Sequence, residues 1–165
     1  MNKIQVVDIV EGTSVDGPGL RTTIYCAGCV HRCPGCHNPQ TWDCEKGRAY
    51  SVDSLMGVIK EADLDVTFSG GDPMFAPEGF AELADRIHDE TDKNIWCYTG
   101  YTFEEILQDR RRRVLLERVD VLVDGRFEAD RRRLGLRFRG SENQRIIDVQ
   151  RSLVENRAVL YEDEF

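Results

Sequence analysis

Stretches of strand character alternate with stretches of helical periodicity through most of the chain, and this alternation constrains the fold more than any other feature. Residues 21–26 (RTTIYC), 65–69 (DVTFS), 94–99 (NIWCYT), 119–123 (VDVLV) and 145–149 (RIIDV) carry the β-branched and aromatic side chains that pack on a pleated surface. Between them, Ser51 is placed to cap a helix to about residue 62, with Val52, Leu55, Val58 and Ile59 on one face. Residues 77–90 repeat at helical spacing through Phe80, Leu83, Ala84 and Ile87, and Thr102 with Glu105 forms a capping box for a short helix to Leu107. Such alternation predicts βαβ units, a mainly parallel sheet and helices outside it. In sheets of that kind ligands gather at the C-terminal strand ends. The loop 27–39, Gly70-Gly71, Thr99-Gly100 and Asp124-Gly125 all follow predicted strands, so one edge of one sheet is the expected site.

Four of the six cysteines fall within residues 26–36. Clustering of this kind points to metal. Cys29, Cys33 and Cys36, in the run CVHRCPGC, can cap three corners of a cuboidal iron–sulfur cluster and leave one iron open, as a catalytic metal site requires. With Cys26 included, the run also allows a zinc site or a four-cysteine ferredoxin-like carrier. Three residues between the two cysteine pairs is short for a zinc ribbon, and Cys26 continues the strand pattern with Ile24, which suits a small buried side chain. Cys44 and Cys97 are isolated and read as buried structural thiols.

The chain of 165 residues suits a single domain spanning 1–165, with an acidic tail expected to fray from about residue 155. No apolar run approaches the roughly 20 residues of a membrane helix, and the N-terminus lacks the pattern of a secretory signal, so no membrane partner and a cytoplasmic location are expected. A net charge of −8 disfavours nucleic acid. Two arginine runs, 110–113 and 131–133, read either as solvated loops or as a docking patch for an acidic partner.

The cysteine run resembles the CxxxCxxC signature of the radical S-adenosylmethionine superfamily. VDGPGLR (15–21), CHNPQTWD (36–43) and FSGGDP (68–73) resemble segments of glycyl-radical-enzyme activases. WCYTGY (96–101), VLVDGRF (121–127) and RGSENQ (139–144) resemble activating proteins of anaerobic ribonucleoside-triphosphate reductase. The resemblance implies a short, incomplete βα barrel, a [4Fe–4S] cluster on Cys29, Cys33 and Cys36, and reductive cleavage of S-adenosylmethionine. It also implies a one-electron donor such as flavodoxin or ferredoxin, and a glycyl radical formed on anaerobic ribonucleoside-triphosphate reductase. It assigns Gly70, Gly71, Asp72 and Pro73 to the amino end of S-adenosylmethionine, and Asp124 and Arg126, which resemble an Asp-x-Lys element with Arg in place of Lys, to its ribose and methionyl parts. Thr99, on the neighbouring strand end, and Asn38 complete the expected ligand set. No catalytic side chain is implied beyond the cluster ligands. Gly35 stands where many superfamily members have an aromatic residue, so an adenine contact has to come from elsewhere, with His37 and Tyr25 as candidates.

Several residues carry weaker expectations. His31 reads as a solvated loop side chain, His88 as a helix-end residue, and Asp16 and Arg21 as local structure around the Gly-Pro-Gly turn. Arg139, Asn143 and Gln144 suit either ligand contacts or a solvated turn. Activation of another glycyl radical enzyme such as pyruvate formate-lyase, and a small-molecule radical reaction of the 7-deazaguanine synthase kind, are the competing functions.

Overall fold

A computed structural model describes residues 2–29, 31 and 47–162. Its seven strands are β1 (Lys3–Thr13), β2 (Arg21–Cys26), β3 (Arg48–Ser51), β4 (Asp65–Gly70), β5 (Ile95–Tyr98), β6 (Val121–Asp124) and β7 (Arg145–Asp148). They form one open sheet in the order β3-β1-β2-β4-β5-β6-β7. Strands β2, β4, β5 and β6 are mutually parallel and make the centre, while β1 and β7 run antiparallel to their neighbours on the two sides. The fold is therefore mixed α/β with a parallel core. β1 and β3 were not among the expected strands. Ile4 and Val6 of β1 are buried at alternate positions, a period-two signal short enough to escape notice at a chain terminus.

The connections are helices α1 (Val52–Ala62), α2 (Pro77–Glu90), α3 (Phe103–Leu107), α4 (Arg110–Leu116) and α5 (Val149–Glu155). Each start has a local cause. The Ser51 hydroxyl accepts from Ser54 N at 3.1 Å, Pro77 opens α2 where its missing N–H costs nothing, and Thr102 and Glu105 close the expected capping box. Asp109 accepts from the amides of Arg111 and Arg112, so the run 110–113 is the first turn of a helix rather than a loop. Arg111 pairs with Glu78, and Arg112 lies 4.4 Å over the Tyr101 ring.

All five helices contribute to one apolar cluster, which they share with the strand residues Ile24, Cys26, Val66, Phe68, Ile95, Cys97 and Leu122. A smaller cluster of Trp96, Val121, Val123 and Phe138 lies on the other face and contains no helical residue. Among the described residues, the sheet thus has one helix layer. The segment beyond α5, expected to fray, folds back as far as residue 161: Val159 is buried, its amide bonds Ser152 Oγ at 2.8 Å, and Leu160 bridges Ile147. No described helix is long and apolar enough to cross a membrane.

On the face without helices, Arg21 is fully buried at the start of β2. Its guanidinium donates to Thr67 Oγ1 (2.7 Å), the Val66 carbonyl (2.8 Å), Asn94 Oδ1 (2.6 Å) and the Pro18 carbonyl (3.2 Å). Burial weakens its hold on its proton, and Asp65 at 4.0 Å works the other way. The side chain therefore does more than frame the local turn: it joins β2, β4 and the start of β5. A buried donor group that loses its partners costs more than the net value of the bonds. Replacing Arg21 with Met should lower unfolding stability by about 3 kcal/mol. The check is a denaturant midpoint that falls with an unchanged slope; an unmoved midpoint would show that the network contributes nothing.

Candidate functional site

The C-terminal ends of β2, β4, β5 and β6 open into a cleft of about 590 Å³, whose lining includes Cys29, Gly70, Gly71, Thr99 and Gly125. This is the edge that the sequence pattern pointed to. Two of the loops are tied together by main-chain contacts. Gly71 N donates to the Cys26 carbonyl and Asp72 N to the Gly28 carbonyl, both at 2.8 Å, so the turn after β4 rests on the chain leaving β2. Gly70 makes this approach possible. Its φ is +103°, and a Cβ there would stand 2.2 Å from Cys26 N.

Asp72 is 1% exposed and acts as the joint of the site. Its Oδ1 accepts from Met74 N at 2.9 Å, and its Oδ2 accepts from the Thr99 hydroxyl (3.0 Å) and Gly100 N (2.9 Å). His31 Nε2 lies 2.8 Å from the same Oδ2. His31 is thus not the solvated side chain expected from its loop. Its side chain is 3% exposed, packs edge-on to Tyr101 at 4.5 Å, and fills the space where a Cβ on Gly100 would sit. The reason is a buried carboxylate 41 residues away, which no local pattern around His31 announces.

The other expected ligand residues divide. Gly70, Gly71 and Thr99 line the cleft. Asp72 is occupied by protein donors, and Pro73 is buried behind the turn. Asp124 was expected to face the ligand. Strand alternation instead puts Val121 and Val123 on the cleft-side face and Asp124 on the opposite one with Leu122. Its carboxylate accepts from Phe103 N at 2.7 Å and from Arg145 at 2.5 and 3.1 Å, and the Arg145 guanidinium is held more firmly protonated by that pairing. Arg145 was not singled out from the sequence; an arginine opposite an aspartate in the β6–β7 register was the available signal. Arg126 is half-exposed and pairs with Glu105 at 3.1 Å. Asn38 lies outside the described residues.

The RGSENQ segment braces the far wall. Gln144 Nε2 donates to the Gly125 carbonyl (3.0 Å), Asn143 Nδ2 to the Arg126 carbonyl (2.8 Å) and Arg139 Nη1 to the Gln144 carbonyl (2.7 Å). Arg139 and Gln144 also line the cleft, and Phe127, Leu136 and Phe138 give that wall its apolar surface. The Tyr25 hydroxyl, considered for adenine, donates to Asp16 Oδ2 at 2.5 Å, and burial together with that bond raises its pKa. Tyr98 went unnoticed in the sequence. It lines the cleft, and its buried hydroxyl has no hydrogen-bond partner among the described residues. Burial pushes its pKa up as well, so it stays a neutral donor.

Two tests bear on a metal. Cys29 Sγ, a His31 ring nitrogen and an Asp72 oxygen lie within 4.8 Å of one another. The Asp72 oxygen that faces His31 already holds three donors, so Cys29 is the donor best suited to a soft metal. Cys29 faces the cleft, whereas Cys26 and Cys97 lie in the helix-side core, where burial pushes both thiols well up and away from the thiolate form a metal needs. Cys26, expected to be buried from the strand pattern, and Cys97, expected to be buried as an isolated thiol, are both buried. Cys33, Cys36, His37 and Cys44 lie outside the described residues. The donor that is described fits a cleft-side iron–sulfur cluster, and the orphaned Tyr98 hydroxyl fits a polar ligand beside it.

The chain is also similar to known proteins. The profile of the 4Fe–4S single cluster domain family matches residues 15–147. The anaerobic ribonucleoside-triphosphate reductase-activating protein of Vibrio cholerae is 40% identical, over 79% of this chain and 88% of its own length. The protein of that name from Salmonella typhimurium is 38% identical over 79% and 89%, and the one from enterobacteria phage T4 is 33% identical over 80% and 86%. A matched stretch that carries the cysteine run and every wall of the cleft, shared with relatives at this identity, means that the chain belongs to the 4Fe–4S single cluster domain family, among the anaerobic ribonucleoside-triphosphate reductase-activating proteins.

Proposed function

We propose that this protein is an iron–sulfur activase. It binds a [4Fe–4S] cluster through Cys29, Cys33 and Cys36, cleaves S-adenosylmethionine with an electron from a donor such as flavodoxin or ferredoxin, and generates a glycyl radical on anaerobic ribonucleoside-triphosphate reductase. The observation that carries this reading is the Cys29 side chain at a cleft formed by the C-terminal ends of four parallel strands. An open sheet with one helix layer suits a short, incomplete βα barrel of the radical S-adenosylmethionine type.

What a cluster supplies when bound is one electron, used to split S-adenosylmethionine so that its adenosyl fragment can take a hydrogen from a partner glycine. The chain's own residues do the positioning. Gly70 and Gly71 present backbone with no side chain in the way, so the polar end of the cosubstrate can approach closely. Asn38 and Thr99 stay in the proposed ligand set, and Tyr98 joins them as a buried donor. Asp72, Pro73 and Asp124 act behind the surface by holding the loops, and Arg126 stands at the rim. Phe127, Leu136 and Phe138 keep water from one side of the cleft.

Anaerobic reconstitution should give about four irons per chain. Changing Cys29, Cys33 or Cys36 to Ala should abolish iron binding, and changing Cys26 or Cys97 to Ala should not. Zinc taken up in preference to iron under the same conditions would sink the cluster assignment. With the reductase present, cleavage of S-adenosylmethionine should be coupled to a protein-based radical detected by electron paramagnetic resonance, and without it cleavage should be slow. Fast cleavage coupled to turnover of a free small molecule would replace this function with a metabolite-directed one. Asp124→Asn should lower stability by about 2–3 kcal/mol by removing the buried one of the two carboxylates that Arg145 pairs with, leaving only the exposed Glu104, while the iron content of the folded protein stays normal. An unchanged unfolding midpoint together with lost cleavage would move Asp124 back to direct ligand contact.

A further inference from the structure

Residues 126–139 run along the mouth of the cleft and carry six arginines against Glu128 and Asp130, a net +4, which leaves −12 on the rest of a chain whose total is −8. Many cations elsewhere are paired on the protein's own surface, as Arg86 is with Glu90, Arg118 with Asp85 and Arg145 with Glu104. On this strap Arg126 pairs with Glu105 and Arg133 with Glu142, whereas Arg131 and Arg132 are exposed and make no ion pair with any described residue. Leu134, two residues further on, is 101% exposed. The strap is nevertheless held in place. Phe138 is buried with φ +67° and packs T-shaped on Trp96 at 5.5 Å, Glu142 N donates to the Arg131 carbonyl at 2.9 Å, and Glu128 N donates to Ser141 Oγ at 3.2 Å.

A fixed ledge with two unneutralised guanidinium groups, Arg131 and Arg132, beside a bare leucine has the arginine-rich composition of a protein interface. We infer that this strap is the docking surface for an acidic face of the protein that supplies the substrate glycine, an inference that rests on the activase reading. Three observations select that occupant. Guanidinium groups without partners match carboxylates in charge and in forked geometry. Leu134 calls for an apolar pocket, which a nucleic acid backbone does not offer, and −12 on the rest of the chain repels a phosphate polymer. The strap is also continuous with the cleft, because Leu136, Arg137, Phe138 and Arg139 line it. A body seated on residues 131–134 can therefore feed a loop directly into the site.

The test uses the full-length protein with its reconstituted cluster and purified anaerobic ribonucleoside-triphosphate reductase. The double variant R131E/R132E and the single variant L134S change only side chains outside the cleft. At low salt R131E/R132E should bind the reductase about tenfold or more weakly than the parent, and the gap should close as salt rises. L134S should bind more weakly at both salt levels. Cleavage of S-adenosylmethionine driven by dithionite without the reductase should match the parent in both variants. Equal binding of parent and variants would overturn the docking surface and leave the activase reading standing. Loss of reductase binding and dithionite-driven cleavage together would place the effect in the cleft and overturn the docking role. Failure of the parent itself to bind the reductase would remove the activase reading and the docking surface with it. Retention of duplex DNA by the parent and not by R131E/R132E would overturn the choice of a protein partner.

Discussion

A carboxylate sealed from water has to be met by donors, and Asp72 is the buried carboxylate on which the cleft depends. Its donors come from three places that are remote in sequence: the turn after β4, the end of β5, and His31 beyond β2. Satisfying one side chain therefore brings three strand-end loops together. The chain leaving β2 is the one that carries Cys29, so the position of that thiol at the cleft follows from the needs of a buried aspartate. Gly70 is the second half of this constraint, since the loops meet only because a side chain is missing there.

The sheet is built unevenly, and the unevenness decides where the site lies. Parallel strands covered on both faces are usually apolar throughout. Here β2 and β4 are apolar at alternate positions only: Ile24, Cys26, Val66 and Phe68 meet the helices, while Arg21, Thr23, Thr67 and Ser69 point the other way. A face lined with hydroxyls and a guanidinium offers little apolar surface for helices to cover, and no described helix packs on it. It is filled instead by Arg21 at the N-terminal end of β2, by the Trp96 cluster in the middle, and by an open cleft at the C-terminal end.

The architecture was legible where physics is local. Periodicity marked α1, α2 and the parallel strands, the Ser51 and Thr102 caps were plain in the sequence, and strand ends marked the cleft. The site was legible as a set of loops but not as a set of contacts. Asp72 and Asp124 look like ligands in a sequence because each stands at a strand end. What each one bonds is decided by donors 27 and 21 residues away, Thr99 for the first and Phe103 and Arg145 for the second. Strand alternation could have turned Asp124 away from the cleft, since Val121 and Val123 claim the other face. His31 offered no such cue. The arginine run 110–113 read as a loop because its cap, Asp109, was overlooked as a helix start.

Gly70 also bears on how a protein of this design can change over generations. With main-chain atoms 2.2 Å from where a Cβ would stand, this wall of the cleft is closed to the ordinary route of variation, one side chain exchanged for another. The opposite wall is not. Its braces run from the side chains of Arg139, Asn143 and Gln144 to main-chain carbonyls, and such contacts do not depend on the identity of the residues they hold. Arg131 is held to this frame by main chain as well, through Glu142 N on its carbonyl, and Leu134 is fully exposed, so the side chains at 131, 132 and 134 can be exchanged while the scaffold stands. A lineage could alter what it recognises on that side while the iron side stays as it is.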